Sequence, residues 1–127
     1  MRDSGKKIKN GYGVFYYKNG EGYEGEYEND SMKGKGKFYY KNRDIYLGEF
    51  NHDKKKGYGM YFYSDKTIFE GQWRNDKKGK YGVVRYANGC EFKGEWISEE
   101  KQLGVIKYKN GDMYLGEIEN EKKKGMA

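Results

Sequence analysis

A chain of 127 residues has room for one domain, and 20 Gly, no Pro, 15 Tyr, 6 Phe and 2 Trp narrow the kind of domain. Leucine occurs only at Leu47, Leu103 and Leu115, too sparsely for amphipathic stripes, which excludes a helix bundle. Charged residues make up 36% with a net charge of +6, yet the regular spacing of the rings separates this chain from disordered polymers of similar polarity. No apolar run approaches the ~20 residues of a membrane-spanning helix. No signal-peptide apolar region follows Met1, and the single Cys90 rules out an internal disulfide and fits a reducing compartment.

In chain order, residues 1–10 form a short basic segment, and Gly11-Tyr-Gly13-Val-Phe15-Tyr-Tyr17 reads as one strand, a half-unit over 11–22. One phrase then returns: Tyr23-Glu-Gly25-Glu26-Tyr27, Tyr46-Leu-Gly48-Glu49-Phe50, Phe69-Glu-Gly71-Gln72-Trp73, Phe92-Lys-Gly94-Glu95-Trp96 and Tyr114-Leu-Gly116-Glu117-Ile118. The starts at 23, 46, 69, 92 and 114 define full units 23–45, 46–68, 69–91 and 92–113 and a partial unit 114–127. Ring, Gly and ring alternate at a period of two, which places them on one face of a strand and the intervening Glu on the other.

After a polar tip such as Glu28-Asn-Asp30, a second alternating run begins, with Phe38 and Tyr40, Tyr61 and Tyr63, Val84 and Tyr86, and Ile106 and Tyr108 sharing a face. A turn closes each unit, at Lys18-Asn-Gly20, Lys41-Asn-Arg43, Ser64-Asp-Lys66, Ala87-Asn-Gly89 and Lys109-Asn-Gly111, and Asn-Gly is a hairpin signal because both residues tolerate positive φ. Each unit is therefore a hairpin. The expected fold is all-β, an elongated single-layer antiparallel meander of about ten strands, roughly 45–50 Å long. The absence of Pro agrees, because interior strands need every N–H. The glycines are expected to let a ring from the next strand lie flat over the backbone.

The phrase Tyr-x-Gly-Glu-Tyr/Phe/Trp, a short tip, and then Gly34-Lys-Gly36 or Gly57-Tyr-Gly59 with an aromatic run resembles the MORN (membrane occupation and recognition nexus) repeat over residues 11–127. Departures are Gln72 for Glu, Ile118 for the second ring and Lys80 for the first Gly of its pair. The fourth unit is one residue short near Gln102–Gly104, where a bend or bulge is expected. The resemblance implies a twisted sheet curled into a trough that holds partners, at cytoskeletal or membrane-associated structures in the cytoplasm.

That reading makes the chain a non-catalytic scaffold or adaptor binding a helix or extended peptide along an aromatic groove. The groove residues are Tyr23, Tyr27, Tyr46, Phe50, Phe69, Trp73, Phe92, Trp96 and Tyr114, with Trp73 and Trp96 as its anchors. The competing expectation for the same rings is that they are the domain's own core. The alternative function is a peripheral membrane module that meets anionic phospholipid through lysine tips: Lys33, Lys54, Lys55, Lys56, Lys77, Lys78, Lys80, Lys122, Lys123 and Lys124. Neighbouring Asp30, Asp53, Asp76 and Glu121 make that ridge mixed in sign.

Nucleic acid is not an expected partner, because Glu24, Glu26, Glu49, Glu95 and Glu117 repel phosphates from the strand faces. No catalytic, metal or cofactor site is expected: His52 falls at a turn position filled elsewhere by Asn29, Asn75 and Asn120, and Cys90 takes the place of Glu21, Asp44, Thr67 and Asp112. Unpaired end strands invite homo-association or completion by a partner.

Overall fold

The computed structural model describes residues 7–119. Ten strands follow one another as β1 (Gly11–Tyr16), β2 (Gly22–Glu28), β3 (Ser31–Tyr39), β4 (Ile45–Asn51) and β5 (Lys54–Phe62). They continue as β6 (Ile68–Arg74), β7 (Lys77–Arg85), β8 (Glu91–Trp96), β9 (Lys101–Lys107) and β10 (Met113–Glu119). All ten lie in one open antiparallel sheet in sequence order, with no helix among the described residues. The expected all-β meander is the observed fold.

One face carries the core, although no second layer covers it. Tyr23, Tyr46, Phe69 and Phe92 are at most 1% exposed, and Tyr27, Phe50 and Trp73 are buried beside them. The rings bury one another. Tyr27, Tyr23, Phe50, Tyr46, Trp73, Phe69, Trp96 and Phe92 form an unbroken edge-to-face chain with centroids 5.1–5.8 Å apart. That geometry suits the ring quadrupoles and joins each unit to the next.

The glycines make room for this tiling, though not as the sequence led us to expect. The ring over each glycine pair comes from the same strand, two residues earlier, rather than from the next one. A Cβ on Gly25 would lie 2.6 Å from the Tyr23 hydroxyl, and one on Gly36, opposite, would enter the Tyr23 ring itself. Tyr46 covers Gly48 and Gly59 in the same way.

Beyond the glycine pair the second strand of a unit holds two residues more than its partner, so Gly25 faces Gly36 whereas Tyr27 faces Met32. The same excess follows Gly48 and Gly71. In the first two of these bulges Gly34 and Gly57 take left-handed backbone, at φ 85° and 70°, whereas the third, with Lys80 at that position, forms without it. The first-ring tyrosine reaches the displaced segment: Tyr23 donates to the Glu26 carbonyl at 2.9 Å and Tyr46 to that of Glu49 at 3.0 Å. In the fourth unit the expectation is reversed. Gly94 faces Gly104 and Trp96 faces Gln102 in unbroken register, so this is the unit that lacks the bulge.

The two turns of each unit differ in chemistry. At the tips, Asn29-Asp30, His52-Asp53 and Asn75-Asp76 have positive φ at both residues, the hallmark of a tight twisted hairpin. His52 is thus a turn residue, as its register with asparagine implied. At the other edge only Gly20, Arg43, Lys66, Gly89 and Gly111 are left-handed. The preceding Asn or Asp does not share that backbone, although each of these positions is the hairpin turn the sequence marks. Instead its side chain accepts the N–H two residues on, as Asn42 does from Asp44 at 2.9 Å.

Candidate functional site

Above the buried rings stands a second, shallower row on the same face. Phe15, Tyr17, Phe38, Tyr40, Tyr61, Tyr63, Tyr86 and Tyr108 are partly buried and packed against the core. From Phe15 to Tyr63 their centroids are 4.6–5.9 Å apart in an unbroken tilted series. The row lines two open pockets. One, of about 520 Å³, lies among Tyr17, Tyr27, Phe38, Tyr40 and Asp53; the other, of about 420 Å³, among Tyr63, Lys78, Tyr86, Trp96 and Glu99.

Most of the rings expected to line a groove are its floor. Tyr23, Tyr27, Tyr46, Phe50, Phe69, Trp73 and Phe92 are buried, Trp96 is half-buried in a pocket wall, and Tyr114 is 43% exposed at the sheet edge. Trp73 donates from Nε1 to the Gly59 carbonyl at 3.2 Å, which ties it to the preceding unit as a core ring. On this face the rings that reach solvent lie at and just past the ends of the second strands, and the same period-two pattern marks them.

The lysines do not form one ridge. Lys55 reaches inward and sits over Tyr40, Tyr46 and Trp73 at 5.3–5.7 Å, bonded to the Tyr40 hydroxyl at 3.0 Å and paired with Asp76 at 3.3 Å. Lys78 lies over Tyr63 and Phe69. Lys33 pairs with Glu28 at 2.7 Å, which holds that carboxyl below the usual range, and Lys80 pairs with Glu95 at 3.4 Å. Lys54, Lys56 and Lys77 are exposed, and Lys122, Lys123 and Lys124 lie outside the described residues.

Carboxylates join the units at both edges. Asp30, Asp53 and Asp76 accept the N–H of Lys9, Met32 and Lys55 at 2.7–2.8 Å, each reaching back 21 residues. At the other edge the buried Asp44 accepts from the Tyr61 hydroxyl and the Ser64 N–H, both at 2.8 Å. Burial, and then that bond, pushes the Tyr61 phenol well above its ordinary pKa.

The opposite face carries its own tyrosines, which the groove reading missed. Tyr12, Tyr58 and Tyr81 are 70%, 48% and 61% exposed, and each stands immediately before a glycine of the paired rows, as in Gly57-Tyr58-Gly59. Here phenols and charges tie one another down: Tyr39 donates to Glu24 at 2.7 Å, Tyr58 donates to Glu70, and Arg85 pairs with Glu70 and Glu91. No group of three or more His, Cys, Asp or Glu side chains among the described residues is placed to hold a metal ion.

A model of the MORN repeat matches residues 6–22, 23–45, 46–68 and 69–91. The chain belongs to the MORN repeat family. No curated protein sequence matches this MORN array. Among solved structures it is similar to the TCP10c domain of Drosophila melanogaster Sas-4, at 15% identity over 87% of this chain and 97% of that one, with a TM-score of 0.46. It is also similar to the SAS-4 (dCPAP) TCP domain of the same organism in complex with a proline-rich motif of Ana2 (dSTIL), at 17% identity over 89% and 86% of the two chains, TM-score 0.47.

Proposed function

We propose that this MORN array is a non-catalytic scaffold that docks a segment of a partner protein along the ring face. The observation that carries the reading is the row of half-buried rings from Phe15 to Tyr63, continued by Tyr86 and Tyr108, standing over a floor that is already packed. An occupant gains aromatic contact there without opening the core, and the floor keeps the row in place. On the opposite face Tyr39 and Tyr58 are tied to carboxylates, and its remaining exposed apolar side chains stand over no packed floor of rings. The membrane alternative has no comparable support, because its lysines are divided between ring contacts, carboxylate pairs and solvent.

Peptides selected on the immobilised chain from a random-sequence display library test the reading. Tyr63→Ser with Tyr86→Ser is expected to abolish their binding, whereas Tyr16→Ser with Leu115→Ser on the other face is expected to leave it intact. The opposite pattern, with both variants folded by circular dichroism, would overturn the assignment of the face.

A further inference from the structure

The tip aspartates expose a gap in the pattern of the ring face. Asp30 and Asp76 each oppose a lysine of the preceding unit. Lys9 Nζ lies 3.4 Å from Asp30 and over the rings of Phe15 and Tyr27 at 4.7 and 5.4 Å. Lys55 does the same with Asp76 and three rings. In the joint between them the lysine position is Met32. Asp53 keeps its backbone bonds to Met32, yet among the described residues it has no ion pair.

That carboxylate lines the pocket of about 520 Å³, whose charged groups are Glu21, Asp30, Asp53 and Asp76 against Lys9 and Lys55. With Lys9 and Lys55 each engaged by an aspartate, the pocket carries an excess of negative charge beside aromatic faces. The Tyr27 hydroxyl, in a pocket-lining residue only 7% exposed, is buried with no partner in good hydrogen-bond geometry and only the Tyr17 hydroxyl near enough to interact with it. A poorly satisfied phenol, an unpaired carboxylate and open rings together describe a receptor for an ammonium.

We propose that this pocket takes a lysine side chain of the docked protein segment, its ammonium seated between Asp53 and the half-buried rings of Tyr17 and Phe38. The neighbouring joints supply that ammonium from the chain itself, which shows the chemistry the cage accepts. Asp53 also adds, behind burial, to the upward push on the phenols of Tyr17, Tyr23 and Tyr27, which places its charge close to these rings. The proposal rests on the docking reading of the ring face and names the side chain that the face selects.

The test is a titration of the intact chain, followed by amide and ring NMR shifts, with Nα-acetyl-lysine methylamide and its norleucine counterpart. The lysine probe is expected to move the Met32 amide and the Tyr27 ring signals, and the norleucine probe to leave them in place. Asp53→Asn should weaken the lysine probe about tenfold, the usual value of a charge-assisted bond. Met32→Lys, which restores the lysine of the other joints, should remove binding while the array stays folded.

Equal shifts from both probes, or undiminished binding in both variants, would overturn the proposal. So would a response to tetramethylammonium alone, which would assign the cage to a quaternary headgroup. If the lysine probe fails while display-selected peptides still need Tyr63 and Tyr86, the docking reading stands without this pocket. Loss of both removes both.

Discussion

Alanine at Gly36 or Gly59 puts a methyl group into the ring of Tyr23 or Tyr46, with the Gly59 Cβ only 2.6 Å from two Tyr46 ring carbons. A ring buried among rings has no vacant rotamer, so each substitution is expected to cost about 3 kcal/mol in urea denaturation. The same tyrosines carry a second, finer term. Tyr46→Phe removes the bond to Glu49 and should cost about 1 kcal/mol, whereas Phe69→Tyr, which brings a hydroxyl toward the corresponding Gln72 carbonyl, should gain a similar amount. The preference for Tyr in the phrase therefore reflects a carbonyl at the bulge as well as a core position. The ring positions were legible from their period of two. Their depth was not, because whether a ring is floor or wall depends on its neighbours 23 residues away.

At the scale of the hairpin, two features decide how a unit is closed. Arg43 and Lys66 hold a left-handed backbone, at φ 79° in both, where the other units have glycine. Glycine at either position relieves that strain, and a gain of about 0.5–1 kcal/mol per site is expected in thermal or urea unfolding. Asp76→Ala removes the carboxylate that accepts the Lys55 N–H and pairs with its ammonium. A loss of about 1–2 kcal/mol is expected, with faster hydrogen exchange at the Lys55 amide than at amides of the first unit. The hairpins, their order and the shared faces could be read from alternation and turn residues. The bulges could not, since two extra residues on one strand leave the alternation of the other untouched. The aspartate links were equally silent, because Asp30, Asp53 and Asp76 look like ordinary turn residues until the preceding unit lies beside them.

Across the whole array each strand pairs with the strands before and after it in sequence order, so contacts run between nearest neighbours. Deleting residues 46–68 is therefore expected to leave a folded, shorter sheet in which Tyr23 meets Trp73 in place of Phe50. Its denaturant slope should fall in proportion to the surface removed. Alkaline pH acts on the units whose first ring is a buried tyrosine, Tyr23 and Tyr46. Burial raises the Tyr23 phenol from 10.0 to about 12, so the unfolded chain releases this proton before the folded one. Stability is thus full below pH 10 and declines as pH rises from there toward 12, and Tyr23→Phe should flatten that decline in a series of urea melts.

The core of this sheet is one side chain deep, with floor rings meeting wall rings and nothing laid across them. A guest bound on that face would become the missing second layer of the fold. Its arrival should therefore register as a higher melting temperature of the entire array, by about 2.7 kcal/mol of added stability at a hundredfold excess over Kd. A simple thermal-shift screen could then recognise the natural occupant before anything else is known about it.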